Sequence, residues 1–241
     1  MPSFAERCIG GLAAVERWLL PAACVLCDAP VPERESDALV CGLCRSRWRP
    51  VPDPVCRRCG QPAFGDLECR MCSGWPPGLD RARSAVWLTG GAHRVVHLLK
   101  YEGWWRAAEA MAEAMVRLEP LTGRVCLIPV PLGARRLRSR GYNQSERLAA
   151  ALAARLGLEV RTDLLQRGRE TTTQTALTPD EREANVAGAF AAARRVIGPV
   201  VLVDDVFTTG ATLVSAAAAL AAAGATSVEA VTFGRAVEPI G

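Results

Sequence analysis

Val203-Asp204-Asp205-Val206-Phe207-Thr208-Thr209-Gly210-Ala211-Thr212 is the stretch on which the reading of this chain turns. The run Val200-Val201-Leu202-Val203 that leads into it is continuously apolar, the pattern of a strand buried on both faces. The Ala- and Leu-rich run 213–223 that follows, closed by Gly224, reads as a helix. Between them stand two adjacent carboxylates and a short loop of hydroxyls around one glycine. Carboxylates there accept hydrogen bonds from a ribose diol or hold magnesium through water. Loop N–H groups and the helix N-terminus, helped by Thr hydroxyls, surround a phosphate, and Gly210 allows close backbone approach. The plainer alternative, Thr208 or Thr212 capping the helix with solvated acids, leaves the carboxylate pair unexplained. Neither G-x-x-x-x-G-K-[ST] nor G-x-G-x-x-G is present. A response-regulator receiver would place its acids early in the chain with a later lysine, and no lysine follows here.

Upstream and downstream, strand-like and helical patterns alternate. Residues 82–88, 125–131, 160–165, 200–203 and 227–233 read as strands; residues 92–99, 104–116, 145–156 and 213–223 read as helices. Residues 171–186 are polar and aperiodic. This alternation predicts an α/β domain with a mostly parallel sheet, which binds ligands beyond the carboxyl ends of its strands.

The first third is different. Eight of the ten cysteines form four Cys-x-x-Cys pairs: Cys24/Cys27, Cys41/Cys44, Cys56/Cys59 and Cys69/Cys72. Each pair on a tight turn supplies half of a tetrahedral zinc site, so four pairs predict two structural Zn2+ sites whose four thiolates leave no place for water. Neighbouring pairs give Cys24/Cys27 with Cys41/Cys44 and Cys56/Cys59 with Cys69/Cys72, but spacing alone leaves a crossed arrangement open. Prolines punctuate this module and long apolar runs are few, so metal has to supply its folding free energy. The break Gly74-Trp75-Pro76-Pro77-Gly78 predicts a small N-terminal helix and double zinc-ribbon module over 1–78 and the α/β domain over 79–241. Cys8 and Cys126 stand alone and read as small apolar side chains.

The formal net charge is +4, with 9 basic against 9 acidic residues up to Trp75 and 20 against 16 beyond it. That excess suits an anionic ligand and falls short of a nucleic-acid footprint. Lys100 is the single lysine among 29 basic residues. No apolar run reaches the roughly 20 residues of a membrane helix, and the weakly apolar start lacks a basic leader. A cytoplasmic location is expected, where clustered cysteines are metal ligands more often than disulfides.

Taken together these motifs resemble a known family. The loop resembles the signature by which type I phosphoribosyltransferases bind 5-phosphoribosyl-1-pyrophosphate (PRPP). Over nearly its whole length the chain is similar to the competence-associated ComF family: Lys100-Tyr101-Glu102-Gly103, Pro129-Val130-Pro131, Arg140-Gly141-Tyr142-Asn143-Gln144-Ser145-Glu146, Thr171 with Gln174, Arg182 with Asn185, and the cysteine knuckles carry the likeness. The resemblance implies that Val203, Asp204 and Asp205 face the ribose and that Thr208, Thr209, Gly210, Ala211 and Thr212 hold the 5-phosphate. It places Val130, Pro131 and Leu132 against pyrophosphate in a turn where a strained or cis peptide is common, and a mobile catalytic loop after Arg167 through Asn185. Lys100 and Arg140 would neutralise pyrophosphate beside Mg2+, although a surface role for Arg140 is an equal alternative. Asn143 and Gln144 either orient substrate or cap the next helix. The implied chemistry is transfer of a phosphoribosyl group from PRPP to a nitrogen acceptor. The second implied role is a non-catalytic PRPP-sensing adaptor that binds single-stranded DNA, a competence helicase or other DNA-processing proteins. Trp48, Trp75, Trp104 and Trp105 are then either stacking platforms or core and interface residues.

Overall fold

A computed structural model of the protein describes residues 22–31, 39–62, 69–121, 126–168 and 188–236. Two compact units divide it, Met1–Arg47 and Trp48–Gly241. In the first, Cys24, Cys27, Cys41 and Cys44 converge around a turn in which the Cys24 carbonyl accepts from Asp28 N–H at 2.8 Å. Asp28 takes the left-handed conformation the turn needs (φ 57°), and a short helix α1, Gly42–Ser46, carries Cys44.

The second unit holds a five-stranded parallel sheet in the order β1-β7-β6-β2-β3. Its strands are β1 (Arg81–Trp87), β2 (Cys126–Pro129), β3 (Glu159–Val160), β6 (Pro199–Phe207) and β7 (Ser227–Arg235). Helices α2 (Gly90–Tyr101) and α3 (Ala107–Met115) join β1 to β2; α4 (Ala134–Arg140) and α5 (Gln144–Leu156) join β2 to β3; α6 (Ala211–Ala222) joins β6 to β7. Leu127, Ile128, Leu202, Val203, Ala230 and Val231 are fully buried, as expected of parallel strands covered on both faces. The mostly parallel α/β architecture expected from the alternation is therefore present. One strand differs: residues 160–165 do not form a single strand. Arg161 N–H closes on the Leu127 carbonyl at 2.9 Å, and a 161–163 turn held by the Arg161–Asp163 ion pair ends β3. The chain resumes in β4 (Leu165–Arg167), paired antiparallel with β5 (Phe190–Ala192). Residues 169–187, which include the expected catalytic loop with Thr171, Gln174, Arg182 and Asn185, lie outside the described residues, as does Cys8.

Two features of this sheet position a site. Along the chain β2 leads to β3 on one side and β6 leads to β7 on the other, so the adjacent strands β2 and β6 form the topological switch point where such sheets open a crevice. Moreover β2 stops early. Its pairing with β6 ends at Pro129↔Val203, after which Val130 N–H makes one last bond to the Val203 carbonyl at 3.0 Å. Pro131 has no N–H to continue the ladder, while β6 stays paired with β7 as far as Phe207↔Arg235. Asp204 and Asp205 thus lie in the strand's second half, on the flank that β2 has vacated.

The edge strand β1 is covered by residues 49–60. Ala82 N–H donates to the Arg58 carbonyl at 2.7 Å, Trp87 N–H to the Arg49 carbonyl at 2.8 Å, and Pro50 bridges Val86. Capping an exposed edge in this way blocks pairing with foreign strands. Trp48 packs edge-on against buried Phe233, ring centroids 5.0 Å apart, a core role rather than a stacking platform.

Candidate functional site

At the switch point lies a cavity of about 540 Å³. Asp204, Asp205, Thr208, Gly210 and Thr212 line one wall, Val130, Pro131 and Leu132 a second, and Lys100 and Arg140 a third. Val203 is buried in the strand and Thr209 and Ala211 lie off the cavity surface; Ala211 N–H donates to Thr209 Oγ1 at 3.4 Å. The Val130–Leu132 turn contains no cis peptide, which corrects that expectation; among the described residues the cis bond precedes Pro54.

The acids are held by neighbours from α5. Ser145 Oγ donates to Asp204 Oδ1 at 2.8 Å, and Gln144 Nε2 to Asp205 Oδ1 at 3.2 Å. Lys100 Nζ forms an ion pair with Asp205 Oδ2, which accounts for the single lysine. Arg140 donates to Gln144 Oε1, so one chain of contacts runs from Arg140 through Gln144 and Asp205 to Lys100. Of the two roles that the sequence left open for this pair, the cap falls to Asn143. Asn143 caps α5, its Oδ1 accepting from Ser145 N–H at 3.0 Å while its Nδ2 donates to the Val130 carbonyl. Gln144 orients Asp205. Burial pushes the Asp204 carboxyl up to about 7, helped by the adjacent Asp205 charge. For Asp205 burial acts in the same direction but is outweighed by Lys100, which holds it below the usual carboxylate range. The pair thus has one proton to give or take near neutrality, with its fixed negative charge on Asp205.

At the other end of the same wall the αL residue Gly210 (φ 83°) starts the twelve-residue helix α6, and Gly210 and Thr212 at its N-terminus line the cavity. Tyr101, Arg136, Ser139 and Arg167 also line it. Tyr101 belongs to the Lys100-Tyr101-Glu102-Gly103 block on which the resemblance rests, whereas Arg136 and Ser139 carried no signal in the sequence. His93 and His97 lie outside it; His97 contacts Glu102 and Arg94 on the surface.

The cysteines gather as neighbouring pairs, Cys24, Cys27, Cys41 and Cys44 in one cluster and Cys56, Cys59, Cys69 and Cys72 in the other. Sulfurs stand 3.9 Å apart for Cys27/Cys41, 3.7 Å for Cys56/Cys72 and 3.5 Å for Cys59/Cys69. A tetrahedral zinc with Zn–S near about 2.3 Å sets sulfurs about 3.8 Å apart, so the donor sets fit zinc and are far from disulfide distance. Burial opposes ionisation of Cys56, yet the Cys59 and Arg58 N–H groups hold its thiol down at about 7. Burial drives Cys59 the other way. A divalent cation is what lets all four ionise together. Cys126 is half-buried in β2 and belongs to neither cluster.

A switch-point crevice with paired acids on one strand and a phosphate loop at the next helix defines a phosphoribosyltransferase-type domain, here behind two cysteine clusters. In agreement, the double zinc ribbon domain family matches residues 15–73 and the phosphoribosyl transferase domain family residues 143–237. DNA utilization protein YhgH of Salmonella typhi is 33% identical over 219 residues, 87% of this chain and 95% of that protein. Competence protein F of Haemophilus influenzae is 28% identical over 71% of this chain and 81% of its own length, and competence protein ComFC of Bacillus subtilis 25% over 82% and 88%. The chain belongs to this ComF family. Among solved structures, orotate phosphoribosyltransferase from Aeropyrum pernix matches at a TM-score of 0.33 and 22% identity, over 56% of this chain and 62% of that one. Among the described residues no helix is long and apolar enough to cross a membrane.

Proposed function

We propose that the crevice binds PRPP with Mg2+ and that the protein transfers its phosphoribosyl group to a nitrogen acceptor in the handling of incoming DNA. The observation that carries this reading is the gathering of complementary groups in one cavity: acids for a ribose diol and a helix N-terminus for the 5-phosphate along one wall, with Lys100, ion-paired to Asp205, and Arg140 also lining it. In the transfer, the acceptor nitrogen's lone pair forms the new bond to C1 as the C1–oxygen bond to pyrophosphate breaks, and both electrons of that bond leave with pyrophosphate. Lys100 and Arg140 stabilise the departing charge, Asp204 and Asp205 hold the ribose, and no protein nucleophile is needed. Asp204 and Asp205 would hold Mg2+ through water, and the ion would supply charge neutralisation for the pyrophosphate. The names of the relatives, DNA utilization and competence proteins, support the DNA context. A cytoplasmic location, which keeps eight thiols reduced, fits the same reading.

Isothermal titration of PRPP with excess MgCl2 tests it. The ribose diol donates to an ionised Asp204, so affinity is expected to rise through the pH near 7 at which that carboxyl ionises. Its ionised fraction goes from about one tenth at pH 6 to about nine tenths at pH 8, which predicts roughly tenfold tighter binding at pH 8. No heat at millimolar PRPP at either pH overturns the proposal.

A second reading, a non-catalytic adaptor for single-stranded DNA, is favoured by one observation. Tyr101, Trp104 and Trp105 are 65%, 42% and 44% exposed beside the cavity, with the Arg140 guanidinium 5.5 Å from the Tyr101 ring and that of Arg147 4.8 Å from the Trp105 ring. Exposed rings under arginines suit base stacking. Oligo-dT is then expected to quench tryptophan fluorescence, and Trp104→Ala with Trp105→Ala to weaken binding by tenfold or more. An unchanged affinity in that double variant removes this surface from the interface.

A further inference from the structure

The second cysteine cluster and the phosphate loop meet at one side chain. Trp75 follows the last ligand, Cys72, by three residues, and its N–H donates to the Cys72 carbonyl at 3.2 Å. Its ring lies flat in the space behind Gly210: a Cβ added there would come within 2.4 Å of Trp75 Cζ2 and 2.8 Å of Cη2. The ring also contacts Phe207, the last residue of β6, at 6.0 Å between centroids. Three residues on, Gly78 crosses α6 so closely that a Cβ would stand 3.3 Å from Ala218 Cα. The segment from Cys72 to Gly78 therefore braces both the loop and the helix whose N-terminus faces the cavity.

Two arginines fix this brace to the metal cluster. Arg58, between Cys56 and Cys59, donates to three carbonyls of the segment, Cys72 at 3.3 Å, Trp75 at 3.2 Å and Pro76 at 2.6 Å, and to that of Leu79 just beyond it at 3.3 Å. Its guanidinium stands 5.6 Å from the Trp75 ring. Arg235, at the end of β7 and fully buried, donates to the Cys59 carbonyl at 2.9 Å and to Gln61 Oε1 at 3.0 Å while lying 4.1 Å over the Phe207 ring. Each zinc-knuckle turn of the cluster is thus tied by a buried or half-buried cation to a residue that touches the loop. Close-packed contacts of this kind are poorly compressible and so transmit displacement.

We infer that Trp75 is a positioning residue for the phosphate loop, and that metal at Cys56, Cys59, Cys69 and Cys72 and sugar phosphate at Thr208–Thr212 consequently strengthen each other's binding. The inference rests on the PRPP reading above. Coupling between two sites is reciprocal, so it can be read at the metal. Zinc release to a chromogenic chelator is followed for the zinc-loaded full chain, with and without PRPP and excess MgCl2, alongside calorimetry of PRPP binding. PRPP is expected to slow release of one zinc per chain by threefold or more and to leave the other unchanged. The protected zinc remains in Cys24→Ser, which lacks the first site. Bound PRPP with both zinc ions leaving at unaltered rates overturns the linkage and leaves the PRPP reading intact. Absence of PRPP binding overturns that reading, and the linkage with it.

A double-mutant cycle separates positioning from general support. Gly210→Ala places a methyl group against the ring at positive φ, and is expected to weaken PRPP binding more than tenfold in the wild-type background. In Trp75→Ala the two closest colliding atoms are gone and only the positive φ and the 3.1 Å approach to Phe207 Cζ remain, so the same substitution costs less, and the double variant binds no worse than Gly210→Ala alone. Additive losses, measured in variants whose zinc content and circular dichroism match wild type, contradict a direct role of Trp75 at Gly210.

Discussion

Asp204→Asn is expected to cost PRPP at least tenfold in affinity and to leave the apoprotein folded, whereas Asp205→Asn costs both affinity and stability. At residue 204 an asparagine oxygen still accepts from Ser145 Oγ and from the Asp205 N–H, the two bonds Asp204 makes at 2.8 and 2.9 Å. What it lacks is the charge and the second acceptor oxygen that a ribose hydroxyl requires. A hydrogen bond to a charged group contributes about 1.5–3 kcal/mol, equivalent to roughly 10- to 150-fold in affinity. The sign of the stability effect follows from the raised carboxyl of Asp204. Its folded pKa lies above the unfolded value of about 3.9, so its contribution is fully present below that value and is lost as pH rises through about 7. Asp204→Asn removes this loss and flattens the decline of apoprotein stability between about pH 4 and 7. The tenfold pH dependence of PRPP binding disappears with it. Asp205 is the opposite case. Its folded pKa is depressed by Lys100, so its contribution is present above about 4 and is lost as pH falls. Asp205→Asn leaves the Lys100 ammonium, only 22% exposed, without its counter-charge. A loss of about 3 kcal/mol, the low end for a broken buried pair, lowers Tm by about 6–12 °C in a chain this long. Differential scanning fluorimetry from pH 5 to 8 with calorimetry on both variants checks the contrast. Equal destabilisation by the two substitutions contradicts this division of roles.

That contrast was only half visible in the sequence. Two acids after a buried strand and before a Thr- and Gly-bearing loop announce a ligand, because local order alone places them there. The prolines at 129 and 131 likewise mark where β2 stops. The partners that distinguish the acids come from far away: Ser145 and Gln144 lie 59 and 61 residues upstream of the carboxylates they hold. In the sequence Asn143-Gln144-Ser145 before an Ala-rich run reads as a helix cap, which is true of Asn143 alone. Helix α4 went unread for a different reason. Ala134–Arg140 buries none of its residues, so it has no apolar stripe from which a helical period could be seen. Trp75 looked like part of a Gly- and Pro-rich break between domains. Its ring instead fills the space that makes Gly210 obligatory, a contact across 135 residues to which no periodicity points.

The two cysteine clusters look equivalent in sequence and are expected to be unequal in consequence. The native protein should hold two zinc ions, and Cys24→Ser and Cys59→Ser should each hold one. Cys24 and its partners belong to the unit Met1–Arg47, whereas Cys59 belongs to Trp48–Gly241, the unit that contains the sheet and the crevice. Cys59 is completely buried, its carbonyl accepts from the buried Arg235, and the adjacent Gly60 lies so close to β1 that a Cβ would meet the Ala82 carbonyl oxygen at 2.7 Å. Loss of metal there releases the turn that carries these contacts, weakens the bond from Arg235 to the Cys59 carbonyl, and loosens the cover of the β1 edge. Structural zinc contributes about 10–16 kcal/mol to folding where the metal organises the whole unit. Here the sheet retains its own core, so only a fraction of that, about 4 kcal/mol, is assigned to the cluster. At about 2–4 °C per kcal/mol, Cys59→Ser lowers the Tm of the main transition by about 8–16 °C and removes PRPP binding through the loop that Trp75 supports. Cys24→Ser is expected to move the same transition by less than about 2 °C and to keep PRPP binding within twofold of wild type, because its four ligands all belong to the other unit. Elemental analysis for zinc, scanning calorimetry and PRPP titration on the three proteins decide the matter. A Cys24→Ser protein that loses PRPP binding as completely as Cys59→Ser would mean that the crevice depends on both clusters and not on the second alone.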